Sequence, residues 1–156
     1  MRRSEKEIKD LDEIVKIIQK CDVCRLALND GEYPYILPLN FGVDVAGGKL
    51  TLYFHGASDG KKYDLITKNN KAGFEMDSSH RLIIGEMACG YGYEFESIVG
   101  CGTIHFVGGD EKRHALNVLM AQYSKDKMFE FDEASLSKTI VFKLSVLEVT
   151  GKRSPR

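Results

Sequence analysis

The segment His55-Gly56-Ala57-Ser58-Asp59-Gly60-Lys61-Lys62 combines residue types that suit anion chemistry. A strand pattern ends at His55, a glycine-containing turn follows, and a helical pattern opens with two lysines. The first turn of a helix has free N–H groups with partial positive charge, so it normally favours acids. Two lysines there gain little for the helix itself, but together with the amides they make a phosphate site. A basic, solvated helix start fits the same residues. A Walker loop is excluded by spacing, because three residues separate Gly56 from Gly60 and Lys62 follows Lys61. A dinucleotide fingerprint is excluded too, since Gly90-Tyr91-Gly92 lacks the third glycine and leads into a strand.

His55 lies on the mixed polar face of its strand, where it would serve a bound cofactor as hydrogen-bond partner or proton donor, or simply face solvent. His80, His105 and His114 share no spacing with it. Cys21-x-x-Cys24 falls where a helix ends and a strand begins, so it lacks the helix N-terminus that activates a redox pair. Zinc would need two further ligands, and Cys89 and Cys101 form no second knuckle, so no metal is expected and inert thiols are. Glu94 and Glu96 share a strand face, which suits paired acid–base work or a solvated surface. The sequence holds no nucleophile elbow, no HExxH and no EF-hand loop.

The elements that would position these residues follow from periodicity. Ser4-x-x-Glu7 reads as a capping box, and Ile8, Leu11, Ile14, Val15 and Ile18 continue as one stripe, predicting a helix over about 4–20. Cys24, Leu26 and Leu28 alternate toward the turn Asn29-Asp30-Gly31. The return strand is apolar at every odd position from Tyr33 to Val43, and Pro34 and Pro38 put part of it at an edge or bulge. After Gly47-Gly48, Leu50, Leu52 and Phe54 share a face opposite Lys49, Thr51, Tyr53 and His55. A short helix is predicted over 58–69, then strands over 71–77 and 93–107, with Gly100 and Gly102 marking a bend or close approach. A helix capped by Asp110 and a last strand over 139–150 complete the chain. Hairpin-linked strands with separated helices predict one mainly β domain of the α+β type, an antiparallel barrel over 1–156.

Composition narrows the function. With 22 basic and 23 acidic residues the net charge is −1, which argues against a nucleic-acid binder. Of the basic pairs, Arg2-Arg3 and Lys152-Arg153 read as solvated ends. The longest uncharged run, Ser97 to Gly109, is too short and too interrupted to span a membrane. The first residues show no apolar stretch, so a cytoplasmic location with reduced thiols is expected.

In order and spacing the chain resembles the FMN-binding split-barrel proteins related to pyridoxamine 5′-phosphate oxidase, in the branch of the 5-nitroimidazole resistance proteins. The matching residues are Tyr33-Pro34-Tyr35-Ile36-Leu37-Pro38-Leu39-Asn40-Phe41-Gly42, then Leu52-Tyr53-Phe54-His55-Gly56-Ala57 with Gly60-Lys61-Lys62. Glu96-Ser97-Ile98-Val99-Gly100-Cys101-Gly102, the Asp110-Glu111-Lys112 segment with Ala115-Leu116, and Thr150-Gly151-Lys152 continue the match. The resemblance implies a split barrel with Greek-key connections and flanking helices. It also implies a homodimer with flavin at the interface, FMN in first place and FAD as an alternative.

By position, Pro38, Leu39, Asn40 and Phe41 would run along the isoalloxazine ring, Phe54 and His55 would flank the ribityl chain and ring, and Lys61 and Lys62 would hold the phosphate. Ser97 matches a polar flavin contact, and His55 is the implied catalytic residue. The implied activity is reduction of a small aromatic or nitro acceptor, with NADH or NADPH as donor. A non-catalytic flavin or haem binder is the second reading. A pyridoxamine 5′-phosphate oxidase is the third, because the oxidases' Arg-rich, Trp-containing tail has no match in Gly151-Lys152-Arg153-Ser154-Pro155-Arg156, and Glu96 replaces a basic residue.

Overall fold

The computed structural model describes residues 6–124 and 129–154. Strands β1 (Glu7–Ile8), β2 (Cys24–Asp30), β3 (Tyr33–Leu39), β4 (Gly42–Ala46), β5 (Lys49–Ala57), β6 (Lys71–Ile83), β7 (Gly92–Val107) and β8 (Thr139–Ser154) form one antiparallel sheet. Its order is β3-β2-β6-β7-β8-β5-β4, with β1 added to β8. The two outermost strands, β3 and β4, are joined only by Asn40 and Phe41. Three peptide links span at most roughly 11 Å, so the sheet must curl until its edges meet. They meet without pairing, which is the split barrel. Pro34 and Pro38 sit on the edge strand β3, where a missing N–H costs no ladder bond.

Both hairpins follow from their turn residues. Gly31 takes a φ of 74° and its amide donates to Asn29 Oδ1, closing β2 on β3. Gly47 and Gly48, at φ of 58° and 75°, make the two-residue turn between β4 and β5 that requires two left-handed residues. On β7, an added Cβ at Gly102 would stand 2.2 Å from the Ser145 carbonyl oxygen, and one at Gly100 would stand 2.6 Å from that of Glu148. Close approach to β8 is therefore why both positions are glycine.

The barrel interior takes the alternate residues Leu26 and Leu28, Leu50, Leu52 and Phe54, Phe74 and Met76, and Phe142 and Leu144. Helix α1 (Leu11–Ile18) adds Ile14, Ile17 and Ile18 to this core. On the outer face, α3 (Gly109–Tyr123) and α4 (Glu133–Lys138) cover Tyr53, Val107 and Val141 with Ala115, Leu116 and Leu136. The backbone of α3 comes so close to β4 that a Cβ at Gly42 would lie 2.5 Å from the Leu119 amide. Helix α2 (Lys61–Lys68) follows β5 and buries Tyr63, Leu65 and Ile66.

Several boundaries differ from expectation. Ser4 lies outside the described residues, and Glu7, its capping partner, belongs to β1, paired with Lys152. The first helix starts instead at Asp10, whose carboxylate accepts from the Glu13 amide at 3.0 Å. Pairing of Glu7–Ile8 with β8 supplies backbone hydrogen bonds that a helix would otherwise have to provide. Asp110 is not a cap: Gly108 is the cap residue of α3, and Asp110 sits inside the first turn, where its charge suits the dipole. The apolar run from Tyr33 to Val43 is two strands, because the chain leaves one sheet edge for the other at Asn40-Phe41. Helix α4, capped by Asp132, is too short to announce itself by periodicity. Among the described residues no helix is long and apolar enough to cross a membrane.

Candidate functional site

The β3–β4 crossover stands beside the carboxyl half of β5, and α2 starts just beyond the end of that strand. Gly42 pairs with Tyr53, so Asn40 and Phe41 leave β4 at the level of Phe54 and His55. Helix α2 begins three residues after β5 ends, through Ser58-Asp59-Gly60. Gly60 has a φ of 128°, which only glycine adopts without strain, and offers no side chain to cap the helix. The first amides of α2 therefore lack the side-chain acceptor that most helices supply.

The two lysines beside those amides differ in what they touch. Lys61 Nζ stands 2.5 Å from Asp30 Oδ2 and 5.0 Å from the centroid of the Tyr35 ring, so it ties α2 to the β2–β3 hairpin. The hydrogen bond to Asp30 holds its ammonium above its ordinary pKa. Lys62 has no carboxylate partner among the described residues, and its Nζ lies over the Tyr63 ring at 4.4 Å. Its side chain folds across Gly56: a Cβ there would meet Lys62 Nζ at 3.1 Å and Tyr63 Oη at 2.6 Å.

His55 is exposed at the rim of β5, opposite Val141. Partial burial of its ring first, and the Lys62 ammonium second, hold the imidazole below its ordinary 6.5, so it is neutral at pH 7. Phe54 and Phe41 are fully buried, Phe54 stacked on Phe142 at 5.2 Å. Their side chains serve the core, and only their backbone faces the rim. The Phe41 amide is already used, donating to Tyr123 Oη, which itself donates to the Asp22 carbonyl. Tyr123 thereby fixes the crossover. Pro38 and Asn40 are exposed and Leu39 is half-buried.

Ser97 does not join this group within one chain. His55 is in register with Val141 and, through it, with Val107, whereas Ser97 is ten residues further along β7, beside Asp77 and Lys152. At about 3.3 Å per residue that is some 30 Å of strand.

The Ser97 end of the barrel is built differently. Glu96 is only 6% exposed and is no solvated face residue. Burial alone would raise its carboxyl, but bonds from Lys20 Nζ (2.6 Å), Arg153 Nε (2.6 Å) and Ser79 Oγ (2.9 Å) overcome that and hold it at about 2. Arg153 also reaches Glu13 at 3.2 Å, so the expected solvated end at Lys152-Arg153 is part of the fold. Arg2 and Arg3 lie outside the described residues. Glu94 pairs with Arg81, so neither glutamate is poised for acid–base exchange. Burial pushes the Cys21 thiol up to about 11 and raises Cys24 further, which leaves both unreactive.

Sequence reasoning missed Tyr63, Asp30 and Tyr35. An aromatic hydroxyl on the otherwise apolar face of α2 was a usable signal for Tyr63. The partners of Lys61 come from a hairpin distant in sequence and left none.

A single curled antiparallel sheet whose two edge strands are joined by a two-residue crossover and do not pair defines a split-barrel protein. A family model for pyridoxamine 5′-phosphate oxidase matches residues 10–153, and the chain belongs to that family. No curated protein sequence matches it. Among solved structures, it is similar to a candidate 5-nitroimidazole antibiotic resistance protein from Bacteroides thetaiotaomicron. The two are 32% identical, with 94% of this chain and 86% of that one covered at a TM-score of 0.81. An FAD and haem binding protein from Mycobacterium smegmatis has the same fold at 16% identity, with 97% and 74% covered and a TM-score of 0.82. The flavocytochrome of Azotobacter vinelandii also matches in fold at 16% identity, with 100% and 72% covered and a TM-score of 0.79.

Proposed function

We propose that the chain is an FMN-dependent reductase of small aromatic or nitro compounds, working as a homodimer. The observation that carries this reading is the uncapped start of α2 beside Lys62, a cation with no carboxylate partner among the described residues. The Tyr63 amide already donates to the Gly60 carbonyl at 3.0 Å, but the uncapped amides of Lys61 and Lys62 and an uncommitted ammonium suit a phosphomonoester. The glycine at position 56 keeps the adjacent strand surface low, as a bound group at this rim needs. The family membership and the 32% identical nitroimidazole-resistance relative give the reading its chemistry.

When bound, FMN would supply the redox chemistry, taking hydride from NADH or NADPH and passing electrons to the acceptor. The chain's own residues would do the rest. Lys62 and the first amides of α2 would bind the phosphate, with Lys61 in support. Backbone groups of Pro38, Leu39, Asn40, Phe41 and Phe54 would line the ring, and neutral His55 would offer a hydrogen bond beside it. Ser97 can contribute only across a subunit interface, which is one reason for a dimer. The other is an open apolar groove of about 480 Å³ lined by Ala27, Pro34, Ala72, Cys101 and Leu147, of which Leu147 is 73% exposed. It begins one residue from Asp30, the partner of Lys61.

The absorption spectrum of the purified protein, before and after FMN addition, tests the cofactor. Steady-state assays with NADH and NADPH against nitroimidazoles and quinones test the reaction. Tight flavin uptake without turnover would make the protein a carrier, and failure to take up FMN would remove the reading altogether. His55→Ala should leave FMN affinity within about three-fold and lower turnover, with a wild-type pH profile inflecting below 6.5, where His55 takes up its proton.

A further inference from the structure

Tyr63 occupies the third position of α2, where its ring packs against Phe106 at 6.1 Å and Phe142 at 6.2 Å. The residue is only 8% exposed, and its hydroxyl has no hydrogen-bond partner among the described residues. A buried hydroxyl without a partner is costly, and a phenylalanine would pack the same ring without that cost. The hydroxyl points away from the ring's apolar contacts toward Gly56. There Tyr63 Oη and Lys62 Nζ converge on one point, at 2.6 Å and 3.1 Å from where a Cβ would stand. The same lysine covers the Tyr63 ring face. An orphaned donor, an uncommitted cation and a side-chain-free patch of strand therefore meet beside the uncapped amides of α2.

We propose that the Tyr63 hydroxyl is a phosphate-binding donor, covered by Lys62 in the free protein and uncovered when Lys62 swings onto the bound phosphomonoester. This deepens the flavin reading and rests on it. Gly56 then has a defined purpose: any side chain there would fill the space through which the hydroxyl reaches the ligand. Lys62 has a double one, shielding the hydroxyl before binding and pairing with the anion after it.

The test is Tyr63→Phe in the full chain, with FMN and riboflavin affinities measured by quenching of flavin fluorescence and the melting of the flavin-free protein followed alongside. We expect FMN to bind about ten-fold more weakly, riboflavin to bind as in the wild type, and the flavin-free variant to melt no lower than the wild type. The last result separates a ligand donor from a structural hydrogen bond, whose loss would lower the melting point. Unchanged FMN affinity, an equal loss for riboflavin, or a destabilised flavin-free variant would each overturn the assignment while leaving the flavin reading intact. A wild-type protein that binds no FMN would overturn both.

Discussion

Two adjacent pairs of cations, Lys152-Arg153 on β8 and Lys61-Lys62 on α2, look alike in the sequence and are used in opposite ways. Arg153 is locked: with Lys20 it closes on buried Glu96, and with Glu13 it ties β8 to α1. Lys152 covers the Phe95 ring at 4.9 Å. On α2 only Lys61 is committed, to Asp30, while Lys62 and Tyr63 Oη have no polar partner among the described residues. The difference teaches how charge divides between folding and binding. Where an acid meets the cation inside the chain, the pair joins elements, and nothing is left to hold a ligand. Where the cation has no acid partner and the helix start has no cap, as at Lys62, the unmet charge is one that a bound anion would relieve.

The largest effect should come from breaking the locked side. Glu96→Gln removes the acid that Lys20 and Arg153 share, leaving Lys20 unpaired and Arg153 with Glu13 alone. Loss of one member of a buried pair costs 3–5 kcal/mol, and the half-exposed cations reduce that to about 2–3 kcal/mol. The melting temperature should fall by roughly 5–10 °C. Because the Glu96 carboxyl titrates at about 2 in the fold and near 4.5 when unfolded, its contribution is full above pH 4.5 and disappears as the pH falls toward 2. Thermal melts from pH 7 to pH 3 should show a steep acid limb in the wild type and a flatter one in the variant. FMN affinity of the folded variant should not change. A loss there would mean that both clusters serve the ligand, and the contrast would fail.

The parts of this contrast that the sequence revealed are those encoded locally. The barrel strands, their inward faces, the hairpin at Asn29-Asp30-Gly31, the edge prolines and the basic start of α2 all rest on neighbours within a few residues. The roles of the cations rest on partners far along the chain. Lys20, Glu96 and Arg153 meet only because β7 and β8 pair and α1 packs across their ends. No spacing rule joins them, so Lys152-Arg153 read as a solvated end. The wrong helix start has the same origin: Glu7 is drawn into the sheet by β8, and local capping preference loses to that pairing. Ser97 and His55 likewise both matched a flavin family, yet only the register reveals that they stand at opposite ends of one barrel.

The next effect in size belongs to the open side. Lys62→Ala removes a charge-assisted contact worth about 1.5–3 kcal/mol to a bound phosphate, so FMN affinity should fall ten-fold or more. Folding stability should move by no more than about 0.5 kcal/mol, as for most surface changes. That is the reverse of the Glu96 signature, and the two variants measured together give the contrast its sharpest form. Fluorescence titration supplies the affinity and denaturant melts the stability. If Lys62→Ala destabilises the fold as much as it weakens FMN, the ammonium is structural and the phosphate is held elsewhere.

The smallest effect tests the residue that stands between the two regimes. Lys61 is adjacent to the uncapped first amides of α2, but its charge is shared with Asp30 and its ammonium lies over the Tyr35 ring. An ion pair in solvent contributes little to folding, and a cation already paired gains less from a second anion. Lys61→Ala should therefore weaken FMN by no more than about three-fold, well short of Lys62→Ala. Asp30→Asn releases Lys61 without moving it off the helix, and should tighten FMN by a similar small factor while leaving riboflavin unchanged. The opposing signs matter more than the sizes, because general damage to the hairpin would weaken both ligands in both variants. If Asp30→Asn weakens FMN, Asp30 is holding Lys61 in place for the phosphate, and Lys61 then belongs to the binding side of the contrast despite its partner.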